Sequence, residues 1–230
     1  MNLLYVTLNP REKLGGLFLL ALYLLILPLL SAGRQFLLFM PVLFALCLWT
    51  FRRFLLESFQ IPLVSPWQIL GKAVLAALIS QLSRVLTNDL IYYFLPGYFL
   101  HTDFGPLLYN SAWEWAAPLV RENPALAAVC LTLFLPIVEE LLLRGLLFGH
   151  FYRRSPLFGF LLTLTVCTLL RLLPVFGWDP VYLGVCALQY IPMTIYLSWV
   201  YVRSDTIAAP MTAHVLINAV SLYILRSYYA

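Results

Sequence analysis

Apolar residues run through the chain in blocks about as long as a bilayer is deep, and polar residues gather in the short gaps between them. A helix needs roughly 20 apolar residues to cross about 30 Å of hydrocarbon. By that measure spans are expected at residues 14–32, 35–51, 65–86, 124–151, 156–173, 181–202 and 206–225. The gaps hold Arg52-Arg53, Arg153-Arg154, Gly177-Trp178-Asp179-Pro180 and Arg203-Ser204-Asp205. The third block, with Lys72 and Arg84, is the least clean. Residues 90–100 are too few to cross, and Tyr92, Tyr93, Pro96, Gly97 and Tyr98 there suit an interfacial or re-entrant segment. The pattern predicts an all-α polytopic transmembrane helix bundle of seven spans, or eight if residues 90–100 cross with a partner. Residues 1–123 then form N-terminal helices and a polar loop with Trp113 and Trp115. Residues 124–230 form a helical core within a single membrane-embedded domain.

Composition removes the competing classes. Of 230 residues, 63% are hydrophobic and only 10% are charged, against about a quarter charged in soluble domains. The formal charge of +4 is too small for a nucleic-acid module. Cys47, Cys130, Cys167 and Cys186 sit inside apolar runs, which suits packed thiols better than a disulfide or metal framework. The first block follows Arg11 and Lys13 and by itself would pass as a signal peptide; the six blocks behind it make it a retained first span. Seven crossings place Arg11, Lys13, Arg52, Arg53, Arg153, Arg154 and Arg203 on one side. The positive-inside rule makes that side cytoplasmic, with the N-terminus in. No internal repeat supports a transporter built from two similar halves.

The chemistry lies where charge enters the apolar blocks. Glu139, Glu140 and Arg144 fall within six residues of one span, and each ionised group at mid-membrane costs about 2.5 to 3.5 kcal/mol on insertion scales. Glu140 and Arg144 are four apart with the acid first, the better order for a helical ion pair. Glu139 lies about 100° around the helix from Glu140 and must face something polar elsewhere. Pro136 lacks an N–H and frees a carbonyl just before it. In the last span His214 and Asn218 are one turn apart on one face. Counted at 1.5 Å per residue, His214 lies about 17 Å and Glu139 about 21 Å from the basic boundary. The two constellations therefore sit at similar depth.

Glu139-Glu140-Leu141-Leu142-Leu143-Arg144 resembles the EExxxR motif of the glutamic intramembrane endopeptidases, the CPBP family of CAAX prenyl and bacteriocin-processing proteases. The stretch from Arg203 through Pro210 to His214 and Asn218 is similar to that family's closing HxxxN motif. The resemblance covers residues 126–218 and implies a metal-independent hydrolase without cofactor in a bacterial or archaeal plasma membrane. It also implies a membrane-anchored peptide or protein as substrate. In it Glu139 activates water, and His214 and Asn218 donate to the oxyanion, a contribution of about 3 to 4 kcal/mol. The family's middle motif, FxxxH, has no histidine here; helix position puts Cys167 at its aromatic site and Arg171 at its histidine site. An arginine cannot accept a proton or a hydrogen bond, but it can anchor Glu139, hold a substrate carboxylate or donate to an oxyanion. His150, about 16 Å along the axis from Glu139, reads as interfacial. A variant protease and a catalytically silent binding or assembly protein both remain open. A metal hydrolase lacks HExxH and a second histidine ligand, and a proton-coupled carrier lacks repeats.

Overall fold

The computed structural model describes residues 6–30, 34–94, 116–173 and 180–229. Every regular element among them is helical: α1 (Pro10–Leu30), α2 (Arg34–Thr50), α3 (Arg52–Val64), α4 (Pro66–Phe94), α5 (Ala117–Glu122), α6 (Pro124–Tyr152), α7 (Pro156–Leu172), α8 (Pro180–Ser204) and α9 (Ala208–Tyr229). Five of these helices open on proline, whose missing N–H costs nothing at a position that has no intrahelical acceptor anyway. Four (Pro66–Phe94, Pro124–Tyr152, Leu183–Ser204 and Ala208–Ser227) are long and apolar enough to cross a membrane. A fifth crossing results if Gln35–Thr50 and Arg52–Ile61, bent by 75° against each other, are taken as one broken span. Large apolar side chains such as Leu14, Phe18, Leu25, Leu78 and Leu82 face outward, as a lipid-facing surface requires. The chain is an integral membrane helix bundle.

Two boundaries differ from the sequence expectation. The third span does not stop at Leu86: α4 continues to Phe94, so the first half of the expected interfacial segment is helix. Ser80, Arg84 and Asn88, spaced by four, all point inward and are buried, so Arg84, one of the charges that made this block the least clean, belongs to one inner polar stripe. Residues 95–100, Trp113, Trp115, His101 and the Gly177-Trp178-Asp179 stretch lie outside the described residues. The other difference is α3, a separate helix in what was expected to be the gap between the second and third spans.

The basic residues gather at one end. Asn9 caps α1 reciprocally with Glu12, through Asn9 N to Glu12 Oε2 at 2.8 Å and Glu12 N to Asn9 Oδ1 at 2.7 Å. The other Glu12 oxygen accepts the Phe54 N–H at 2.9 Å, so one carboxylate caps two helices and fixes the bend. Arg53 and Arg153 donate to the carbonyls of Thr7 and Val6, and Lys72 donates to that of Arg203.

Two apolar clusters fill the interior. The larger joins α1, α2, α6 and α7 through residues such as Tyr23, Phe36, Phe51, Leu131 and Leu141. The smaller joins α4, α8 and α9 through Ala73, Ala76, Ala77, Ala209 and Ala213, whose small side chains let backbones approach. Gly159 serves the same purpose for α7, because a Cβ there would lie 2.7 Å from the Tyr152 backbone nitrogen. All four cysteines are buried free thiols.

Candidate active site

The site is built on α6, whose hydrogen-bond register changes twice. Residues Cys130–Phe134 and Glu140–Phe148 are π-helical, with ordinary α-helix at Leu135–Glu139 between them. The Leu135 N–H reaches back five residues to the Cys130 carbonyl. The next donor in that register, at position 136, is missing because residue 136 is proline, so the Leu131 carbonyl is left free. Asn218 of α9 fills the vacancy, its Nδ2 donating to Leu131 O at 2.9 Å. The proline in α6 and the asparagine in α9 are thus two halves of one device that fixes the helices against each other.

One turn earlier on α9, His214 is fully buried between the two glutamates. Its Nδ1 lies 2.7 Å from Glu140 Oε1, which also accepts from Arg144 Nη1 at 3.0 Å. Its Nε2 lies 3.6 Å from Glu139 Oε2 and 3.1 Å from Arg171 Nη2. Arginine only donates, so Nε2 is the acceptor and the proton belongs on Nδ1, facing Glu140. Arg171 Nη2 also donates to Glu139 Oε2 in a short, direct ion pair. The other Glu139 oxygen accepts from Tyr23 OH of α1 at 2.6 Å. The Arg171 guanidinium lies over the Tyr190 ring, 5.2 Å from its centroid, a cation–π contact.

Glu139, Arg171 and His214 therefore meet, Arg171 making the anchoring contact with Glu139 that was one of three open to it, and Glu140 and Arg144 form the pair their spacing suggested. Arg171 makes direct contact with both partners, well inside the reach of one bridging water. Asn218 faces the freed carbonyl and Glu140, besides its pair with Arg144, holds the imidazole; neither contact was foreseen. His150 lies at the basic end, lining a pocket with Lys13, Arg153 and Arg154. Tyr23 and Tyr190 were not foreseen at all; an aromatic residue in an apolar run carries no mark of a distant carboxylate or guanidinium. Among the described residues no group of His, Cys, Asp and Glu is disposed to hold a metal ion.

Fold and site together define an intramembrane helix bundle with a buried carboxylate–guanidinium–imidazole centre. Residues 121–220 match the family model described as type II CAAX prenyl endopeptidase Rce1-like, and this segment is similar to that family. It contains Glu139, Glu140, Arg144, Arg171, His214 and Asn218. No curated protein and no solved structure matches the chain.

Proposed function

We propose that the protein is an intramembrane endopeptidase of the glutamic type that cuts a membrane-anchored peptide or protein from within the bilayer, with its N-terminus cytoplasmic. The observation that carries this reading is the direct meeting of Glu139, Arg171 and His214 in the bundle interior. In this scheme Glu139 takes a proton from water as its oxygen attacks the scissile carbonyl carbon. The carbonyl oxygen becomes an oxyanion, and the same proton then passes to the leaving nitrogen as the C–N bond breaks. Arg171, rather than His214 and Asn218, supplies the oxyanion donors, because the His214 Nε2 is an acceptor and one Asn218 N–H is committed to Leu131. His214, held by Glu140, orients Arg171. Asn218 keeps α9 in register and has one N–H to spare.

A second reading, a silent binding or assembly protein, is favoured by one specific feature. Both Glu139 oxygens are already engaged, one by the Tyr23 hydroxyl and the other by Arg171. The test is cleavage by purified protein in nanodiscs of three quenched reporters: a prenylated peptide, a leader peptide and a C-terminal sorting tail. Glu139→Gln should lower the rate at least about 100-fold, and His214→Ala should lower it as well. Processing unchanged in both variants would sink the hydrolase reading. Arg171→His separates the alternatives: a loss of activity marks a specialised site, and a gain marks a degraded one.

A further inference from the structure

The basic end of the bundle holds a pocket that the proposed reaction does not use. Lys13 of α1 lines it together with His150, Arg153 and Arg154 at the end of α6, and so do Leu146 and Tyr201. Its volume is about 230 Å³, whereas one water needs roughly 10 to 15 Å³. No carboxylate is among its lining residues. Arg53, at the same end, is by contrast paired with Glu12 and Glu57. Arg153 helps to build the pocket: its Nη2 donates to Val6 O at 2.6 Å and so ties the segment before α1 to α6. Lys13 is half-buried and Arg154 is exposed, so both charges are within reach of a ligand. Like charges gathered without an acid repel one another, and an anion between them relieves that repulsion.

This pocket adjoins an apolar one. Lys13, Leu146 and His150 line both, and Leu17, Leu147 and Phe151 complete the second. The two helices run in opposite directions, yet charge gives way to hydrocarbon in the same sense along each. α1 begins at the basic end, with Leu17 one turn deeper than Lys13. α6 finishes there, with Leu146 one turn deeper than His150 and Arg154 just past the helix end. The apolar compartment therefore lies on the membrane side of the cationic one. Leu17 is 55% exposed, and Leu14, on the same face of α1, is 73% exposed. The apolar compartment thus opens on the outer, lipid-facing surface. A soluble anion would use only the first compartment, and a neutral lipid only the second.

We infer that this double pocket binds one anionic phospholipid, its phosphate between Lys13, His150 and Arg154 and an acyl chain against Leu17, Leu147 and Phe151. Lysine and arginine give the phosphate charge-assisted hydrogen bonds, and each basic charge near an anionic lipid contributes about fivefold in affinity. Phosphatidylcholine brings a quaternary ammonium into the same cationic surroundings and is disfavoured, whereas phosphatidylglycerol brings none. The assignment is independent of the protease reading, because no residue of the Glu139 centre lines either compartment.

The experiment counts bound lipid. The full chain, released from neutral detergent micelles, is titrated with dioleoyl phosphatidylglycerol or dioleoyl phosphatidylcholine, and native mass spectrometry reads the affinity of each. The wild type should retain one phosphatidylglycerol at least about tenfold more tightly than phosphatidylcholine. Lys13→Gln combined with Arg154→Gln should bring the two lipids within about twofold of each other. Arg203→Gln, which removes an exposed charge from the same end outside the pocket, should leave the preference as it is. Equal affinity for the two lipids in the wild type overturns the inference, as does failure to retain either; both outcomes need only the wild type and do not depend on whether a variant folds. A preference that survives in the folded double variant overturns it too, and an equal loss in Arg203→Gln would reduce the site to diffuse surface charge. Glycerol 3-phosphate, the headgroup without its tail, should not displace the lipid. Displacement at the lipid's own affinity would make the pocket a site for soluble phosphate esters and overturn the lipid assignment.

Discussion

At the turn between α8 and α9, the hydroxyls of Ser58, Ser204 and Thr206 are paired, and among the described residues no ion pair forms there. Thr206 Oγ1 donates to the Ser58 carbonyl at 2.7 Å, Ser58 Oγ accepts the Ile207 N–H at 2.9 Å, and Ser204 Oγ donates to Val200 O at 2.7 Å. Farther along α9, the groups around His214 are paired by charge, and some atoms have no partner: Glu140 Oε2 and Arg144 Nε and Nη2 are buried without a hydrogen bond. Hydroxyls and backbone groups at the turn cost little to bury once satisfied. Guanidinium and carboxylate groups cost several kcal/mol each, recovered only in part by pairing. A network that exists to hold a corner uses the cheaper chemistry. The expensive one surrounds the proposed reaction centre, so disruption of the corner should cost stability alone and disruption of the centre should cost stability and activity together.

Glu140→Gln gives the largest effect. It strips the charge partner from buried Arg144 and leaves only a neutral amide oxygen facing His214 Nδ1, and loss of about 3 to 5 kcal/mol is expected. The added change Arg144→Met removes the stranded cation. In denaturant titrations of the detergent-solubilised protein, the double variant should be more stable than Glu140→Gln alone. If Glu140→Gln leaves stability unchanged, the centre is not held by charge.

Tyr23→Phe comes next. The hydroxyl donates to a buried carboxylate at 2.6 Å, and a hydrogen bond to a charged group contributes about 1.5 to 3 kcal/mol. The same change frees one Glu139 oxygen while Arg171 keeps the other, so turnover of a cleavable reporter should shift while binding of that reporter stays the same. A pure stability loss with normal turnover would make Tyr23 a packing residue.

Ser58→Ala tests the opposite corner. The Ile207 N–H loses its acceptor in a buried place, at a cost of about 1 to 3 kcal/mol. Activity per folded molecule should be unchanged. A fall in turnover at full occupancy of the folded state would erase the distinction between the two networks.

How much of this can be read from residues alone depends on whether a contact is local. The Glu140–Arg144 pair follows from their spacing of four on one helix. The convergence of Glu139, Arg171 and His214 follows from depth counting and motif order, since helices crossing the same slab bring residues of equal depth within reach. Tyr23 escapes because its partner lies 116 residues away. The bond between Asn218 and Leu131 depends on a π register, although Pro136 already announces a free carbonyl. The third block looks unclean because Arg84 is a charge in a span, until Ser80, Arg84 and Asn88 are seen to share one inward face. The bend before α3 requires Glu12, a residue whose capping role at Asn9 is local but whose second role at Phe54 is not.

The smallest predicted effect concerns Asp205, which lies at the α8–α9 turn outside the spans and sharpens the corner's character. It adopts a left-handed conformation, φ 54°, which Asp and Asn tolerate better than other residues with a side chain. Burial raises its pKa above the ordinary 3.8, with Lys72 opposing, and its Oδ1 has no hydrogen-bond partner. A raised carboxyl pKa means that folding disfavours the ionised form. The charge therefore weakens the folded state at neutral pH, and the penalty is relieved as pH falls through the raised folded value, disappearing below 3.8. Asp205→Asn keeps the backbone geometry and removes the charge. It should stabilise the protein by no more than about 0.5 kcal/mol at pH 7, and the two melting temperatures should converge as the medium is acidified. A gain that persists undiminished at acid pH would mean that the asparagine amide, not the missing charge, had stabilised the turn.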